Sequence, residues 1–181
     1  IVAILQKYGC NALGFTGADG NMILARKRPV KDNIDFGFVG DIVRIDAVKL
    51  AGILDLNFTP VFTAMTHDGN GQLLNTNADT IASSLAVELS TFYKTELFFC
   101  FEKPGVMSDA ADIETRIPVL TPAIYLKYKA SGNIHSGMIP KIDNAFEAIK
   151  KGVSRIHICH YQDIGSIGSP ESEIGTVIVN P

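Results

Sequence analysis

Asn75-Thr-Asn-Ala-Asp-Thr-Ile-Ala-Ser-Ser-Leu-Ala-Val-Glu-Leu89 is the stretch from which the rest of the chain can be read. Ala78, Ile81, Ala82, Leu85, Ala86 and Leu89 recur at i, i+3, i+4, i+7, i+8 and i+11, the apolar stripe of an amphipathic helix. The residues ahead of the stripe are polar and suit a helix start. Asn75 or Asn77 can accept from the first free amides as N-cap, and Asp79 in the first turn suits the positive end of the helix dipole. Upstream, Thr59-Pro-Val-Phe-Thr-Ala-Met65 reads as a buried strand, and His67-Asp-Gly-Asn-Gly71 as a turn. A strand end then delivers three polar side chains to a helix N-terminus, the kind of place where open α/β sheets bind ligands. The bland alternative makes Asn75, Asn77 and Asp79 caps and nothing more.

A second helix start weighs against that alternative. Ser136-Gly-Met-Ile-Pro-Lys141 precedes Ile142, Ala145, Phe146 and Ile149, again at i, i+3, i+4, i+7. Pro140 suits the first helical position. Lys141 then falls in the first turn, where the dipole disfavours a cation. A bound anion would explain it, and Gly137 would let backbone approach that anion closely.

Composition narrows the class. The chain has 181 residues, enough for one domain with a sizeable core. Sixteen basic against nineteen acidic residues give a net charge of −3, which leaves no basic footprint for nucleic acid. Three cysteines do not make a disulfide framework. Cys100 and Cys159 lie in strand-like apolar runs and are expected as buried, reduced thiols of a cytoplasmic protein. No apolar run is long enough for a membrane span.

In chain order, Ile1–Tyr8 reads as a helix end and 11–15 as a short strand. Met22–Arg28 and Phe36–Ile45 suit an antiparallel ribbon with turn residues between them. Arg26-Lys27-Arg28 is expected as a solvated face. Asp46 caps a helix that starts after it. Glu96–Phe101 is a buried strand, and Glu102-Lys-Pro-Gly-Val-Met107 its exit loop. Thr121 caps Pro122–Ala130, and Lys150-Lys-Gly152 ends the Lys141 helix. Residues 155–159 and 174–179 complete the strands. Alternating strands and helices imply an α/β fold, a three-layer α/β/α sandwich with a mainly parallel central sheet, in a single domain spanning 1–181.

Gly71-Gln-Leu-Leu-Asn-Thr-Asn-Ala-Asp-Thr-Ile-Ala and Ser136-Gly-Met-Ile-Pro-Lys-Ile-Asp-Asn-Ala together resemble the amino-acid kinase family. Dispersed matches at Gly14-Phe-Thr-Gly-Ala-Asp-Gly, Phe38-Val-Gly-Asp, Pro104-Gly-Val-Met and Gly175-Thr-Val-Ile follow in the family's order. The resemblance implies a kinase that uses ATP and Mg²⁺ to phosphorylate the side-chain carboxylate of N-acetyl-L-glutamate, in arginine biosynthesis. N-succinyl-L-glutamate is the alternative substrate. It assigns Lys141 and Asp79 to catalysis, with Lys141 neutralising the transferring phosphoryl group and Asp79 holding it. Asn75 and Asn77 are implied at the acyl-glutamate. Glu102, Lys103, Pro104, Gly105, Val106, Met107, Asn133, Ile134, His135, Gly137 and Met138 are implied at the nucleotide. A homodimer without nucleic-acid or membrane partners is implied too.

Two departures stand out. Glu102 occupies a loop position where the family usually has aspartate, and His135-Ser136 replaces a glycine or acidic residue before Gly137. The family also carries, ahead of the position matching Ile1, a further catalytic lysine, glycine-rich loops and a substrate arginine. The 181 residues are therefore expected to be the carboxy-terminal, nucleotide-binding larger part of the fold and not a competent kinase by themselves.

Other motifs carry less. His157 and Cys159 share one strand face with His160 opposite, and no second cluster is in view to complete a metal site, so a structural role is expected. Asp68-Gly-Asn-Gly71 begins like a calcium loop without the later acidic ligands. Gly14, Gly17 and Gly20 have fingerprint-like spacing but no helix behind them. The contrasting function class is a non-catalytic, ligand-binding module of the same fold.

Overall fold

In the computed structural model, residues 1–109, 111–134, 137–166 and 174–179 are described, and the chain forms two units, Ile1–Phe92 and Tyr93–Pro181. The first begins with α1 (Val2–Lys7), followed by β1 (Ala12–Phe15), a 3₁₀ turn at Asp19–Asn21, β2 (Ile23–Lys27) and β3 (Gly40–Ile45). Then come α2 (Ala47–Asp55), β4 (Thr59–Phe62), β5 (Met65–His67), β6 (Leu73–Asn75) and α3 (Ala78–Leu89). β1 and β4 pair in parallel, from Ala12↔Thr59 to Phe15↔Phe62. The remaining strands form a mixed sheet in the order β3-β2-β5-β6.

The expected ribbon is present as the antiparallel β2–β3 pair, with a register shift between Leu24 and Ala25. Met22, Ile23, Ile45 and Ile81 form a core, with Phe15, Ile42, Ile53, Phe62 and Leu85 packed on it. Ile81 and Leu85 thus confirm the stripe of α3. Asp46 caps α2 by accepting from the Lys49 amide at 3.2 Å. Arg26 and Lys27 are exposed as expected, whereas Arg28 is half-buried and pairs with Asp41 at 2.7 Å.

Residues 59–65 depart from expectation, because they are two strands. The Thr63 amide still bonds to Phe15, continuing the β1 ladder, while the Ala64 carbonyl accepts from Thr76. The chain bends there to exchange β1 for β2 as partner, a long-range choice with no local signal. β6, not the Thr59 strand, therefore leads into α3. Asn75 is its last residue, and Asn77 is the cap, accepting from the Thr80 amide at 3.1 Å.

The second unit holds β7 (Glu96–Phe101), a 3₁₀ turn at Ile113–Thr115, β8 (Val119–Leu120), α4 (Pro122–Ala130) and α5 (Ile139–Lys150). β9 (Arg155–His160), a 3₁₀ segment at Tyr161–Ser166 and β10 (Thr176–Ile178) follow. The sheet order is β7-β9-β10-β8, with β7–β9 and β10–β8 parallel and β10–β9 antiparallel. The chain is thus α/β, with parallel and mixed sheets flanked by helices. Ile156, Ile158, Ile178 and Leu120 are fully buried in the sheet, and Ile142, Ala145, Phe146 and Ala148 form the inner face of α5. Pro140 takes the second helical position, after Ile139.

Burial of both strand thiols is corrected: Cys159 is fully buried and Cys100 exposed. Alternation along β7 turns Phe99 into the core, so Cys100 faces the other way. Across the register from Cys100, Cys159 lies against the Gly175 backbone, and the two sulfurs are 3.8 Å apart. Burial, with Cys100 adding to it, pushes the Cys159 thiol up to about 12. One step along the same pair of strands, the rings of Phe98 and His157 stack at 4.2 Å.

Iodoacetamide should alkylate Cys100 in the native protein and Cys159 only in denaturant; equal native rates by mass spectrometry would contradict the burial. Burial holds His157 below the ordinary histidine value, against a smaller opposing effect of Glu96 at 3.4 Å. As pH falls, the unfolded chain therefore binds this proton first. The contribution of His157 to stability is whole above about pH 6.5 and declines below it. Urea midpoints should fall between pH 7.5 and 5.5, and His157→Gln should flatten that slope.

Candidate functional site

The loop that leaves β7 is held from beneath by one side chain. Thr176, fully buried on β10, accepts from the Val106 amide at 2.8 Å and donates to the Ile117 carbonyl at 2.7 Å. The Ile117 amide returns to the Val106 carbonyl at 2.8 Å, and Met107 bridges to Arg116. The Arg116 guanidinium donates to the Gly175 carbonyl. Gly105 is required by this closeness: a Cβ there would lie 2.6 Å from the Thr176 hydroxyl oxygen.

Above this anchor lies a cavity of about 380 Å³, lined by Phe101, Lys103, Gly105, Val106, Met107, Ile134 and Met138. All but Phe101 were expected at a nucleotide. Phe101 and Thr176 were not singled out, because each reads locally as an ordinary strand residue. Pockets of roughly 300–1,000 Å³ hold small ligands, and apolar walls with one cation at the rim suit a flat heteroaromatic base next to phosphate. Glu102 and Pro104 belong to the same loop but not to the cavity wall, with Glu102 exposed and Pro104 half-buried. Asn133 is exposed and gives its amide to the Tyr128 carbonyl. Gly137 is exposed beside Met138, and His135 lies outside the described residues.

Lys141 occupies the first turn of α5, one turn after Met138. Its ammonium sits 4.9 Å above the Phe99 ring. The ring face attracts a cation without bringing an opposing charge. In the other unit, Asn75 and Asn77 are exposed and Asp79 is half-buried in the first turn of α3. The Asn75 amide donates to the Phe38 carbonyl at 2.8 Å, which leaves its side chain outside the sheet ladder. The Asn77 side chain is engaged in its cap. Around His157 the neighbours are Phe98 and Glu96, and among the described residues no three His, Cys, Asp or Glu side chains converge on a metal position.

Residues 1–160 match the sequence profile of the Amino acid kinase family. The chain belongs to that family. It is 46% identical over 179 residues to an acetylglutamate kinase of Cytophaga hutchinsonii, covering 99% of this chain and 68% of that relative. It is 51% identical over 158 residues to an acetylglutamate kinase of Bacteroides fragilis, covering 87% of this chain and 60% of that relative. The chain thus spans 60% to 68% of the length of these two relatives. Among solved structures, N-acetylglutamate synthase from Neisseria gonorrhoeae, complexed with coenzyme A and N-acetyl-glutamate, superposes with a TM-score of 0.82 at 22% identity. That match covers 99% of this chain and 40% of the other. Carbamate kinase from Giardia lamblia bound to AMP-PNP superposes at 0.66 with 13% identity, covering 99% of this chain and 66% of the other. At these identities the two structures establish the fold alone.

Thr176→Val keeps the volume of the side chain and removes both hydroxyl bonds, leaving the Val106 amide and the Ile117 carbonyl unmet in the interior. The expected loss is about 1–3 kcal/mol in urea unfolding. Thr176→Ser should recover most of it, and an unchanged midpoint in Thr176→Val would contradict the anchoring role.

Proposed function

We propose that the protein carries out ATP-dependent phosphorylation of the side-chain carboxylate of N-acetyl-L-glutamate, giving an acyl phosphate in arginine biosynthesis. The observation that carries this reading is the cavity: six residues expected at a nucleotide line one pocket of suitable size. Family membership and likeness to two acetylglutamate kinases support the substrate. One amino-acid kinase domain comprising both units is part of the proposal, supported by a family match that runs through both. Cytoplasmic location and a homodimer complete it.

The chemistry makes modest demands. The nucleophile is the substrate carboxylate, ionised at neutral pH because glutamate titrates near ~4.3. No general base is needed. Positioning and the neutralising of spread negative charge supply most of the rate. The pocket residues hold the base, with Lys103 at the rim towards phosphate. Lys141 brings its charge to the transferring group, at a helix start whose amides also favour an anion. Asp79 is the other catalytic residue of this reading, and Asn75 and Asn77 bind the acyl-glutamate. Mg²⁺ held by the nucleotide phosphates would neutralise charge on the phosphate oxygens.

The test is hydroxamate trapping of the acyl phosphate by the full-length gene product, with ATP and either N-acetyl- or N-succinyl-L-glutamate. Turnover on the acetyl compound is expected. Lys141→Ala should lower kcat by roughly 10²–10³-fold, the cost of removing one charge-stabilising donor, with KM values little changed. Undiminished turnover in that variant overturns the role of Lys141, and turnover on the succinyl compound alone overturns the choice of substrate.

A further inference from the structure

Thr66 and Thr76 are 0% and 2% exposed, and their hydroxyl oxygens are 2.8 Å apart. Thr76 Oγ1 is 3.0 Å from the Gly40 carbonyl, and Thr66 Oγ1 is 3.3 Å from the Leu74 carbonyl. Each hydroxyl has one hydrogen, so two wirings exist. Either Thr66 donates to Thr76 and Thr76 to Gly40, or Thr76 donates to Thr66 and Thr66 to Leu74. The first uses the shorter contacts. Gly40 allows the approach: a Cβ there would meet Leu74 Cβ at 2.8 Å and the two hydroxyl oxygens at 2.8 and 2.9 Å.

This knot sits where β3, β5 and β6 come together. The Asn75 amide bonds to Phe38, the Thr76 amide to Ala64 at 2.9 Å, and Val39 bridges to Asn75. In extended backbone, neighbouring side chains point to opposite sides. Thr76 points into the interior, and Asn75 and Asn77 are exposed on either side of it. One buried hydroxyl therefore fixes the rotation of a three-residue segment. If Thr76 turns, both asparagines turn with it.

We propose that Thr76, with Thr66 as its hydroxyl partner and Gly40 as its acceptor, is a positioning residue for the acyl-glutamate: it aims Asn75 at the ligand and keeps Asn77 on the first turn of α3. This rests on the reading of Asn75 and Asn77 given above. Thr76 does not touch substrate. It acts through the two asparagines, on the amino-acid substrate and not on the nucleotide.

The experiment measures both KM values and kcat in the full-length gene product. Thr76→Val keeps the shape and loses the hydroxyl. It should raise KM for N-acetyl-L-glutamate on the order of tenfold, the equilibrium counterpart of one unmet buried bond, and leave KM for ATP within about twofold, well under one such bond. Thr76→Ser should restore the wild-type value. Thr66→Val, which leaves Thr76 free to donate to Gly40, should raise the same KM by less, and it decides the matter if Thr76→Val does not fold. An unchanged KM for N-acetyl-L-glutamate overturns the proposal while wild-type turnover keeps the kinase reading. A parallel rise in both KM values, or a loss of active protein with unchanged KM values, assigns Thr76 a merely structural role and also overturns it. Wild-type protein that neither binds nor phosphorylates an acyl-glutamate overturns the kinase reading, and this proposal with it.

Discussion

Buried hydroxyl groups must be satisfied, and in this protein that demand fixes the backbone of the two segments proposed to hold ligands. A hydroxyl taken out of water without a partner costs free energy comparable to the loss of a hydrogen bond. Thr66, Thr76 and Thr176 are each at most 2% exposed. Each bonds to backbone that is distant in sequence or to another hydroxyl, so none can move without stranding a polar atom. Thr176 does this beneath the loop of residues 102–107, and Thr76 beside Asn75 and Asn77. Glycine completes both arrangements, because at Gly105 and Gly40 a Cβ would collide with those same hydroxyls. Shape at both segments thus comes from a few threonine–glycine contacts, and the exposed side chains need not supply it.

Lys141 shows the complementary economy in charge. A cation in the first turn of α5 is unfavourable to the helix dipole, and the Phe99 ring offsets part of that cost. The ring attracts the ammonium through its face and brings no charge of its own, which suits the phosphoryl contact proposed for Lys141. Placing Phe99 inward on β7 has a second consequence, since strand alternation then turns Cys100 outward. Ammonium support and thiol exposure are two results of one register.

Much of this was legible because it is local. The stripe of α3, the caps Asp46 and Thr121, β7 and its exit loop all follow from spacing and end residues, whereas the six cavity residues expected at a nucleotide were marked by the family resemblance. What was illegible depends on partners far along the chain. The bend at Ala64 exists because β4 and β5 pair with different strands. β8 has two residues, too few for a periodic signal, and β10 runs against β9 although its sequence would suit either direction. Thr176 reads as one more β-branched strand residue, since its two bonds reach 70 and 59 residues back. Asn75 and Asn77 were equivalent as caps until the length of β6 placed one in the strand and the other on the helix.

A fold shared among different chemistries does not choose between them; side chains grafted on it do. The segments held by Thr66, Thr76 and Thr176 belong to the part that a fold can pass on, because their bonds go mostly to backbone. The choosing part we propose is small: Asn75, exposed at the end of β6, Lys141, half-buried at the start of α5, and the cavity wall that includes Phe101, Lys103 and Met107. Separating the two explains how Asn77 can be both cap and candidate ligand contact. Its side-chain oxygen serves the Thr80 amide, its amide nitrogen remains a donor for a carboxyl or carbonyl oxygen, and Thr76 beside it is buried and bonded to the Gly40 carbonyl.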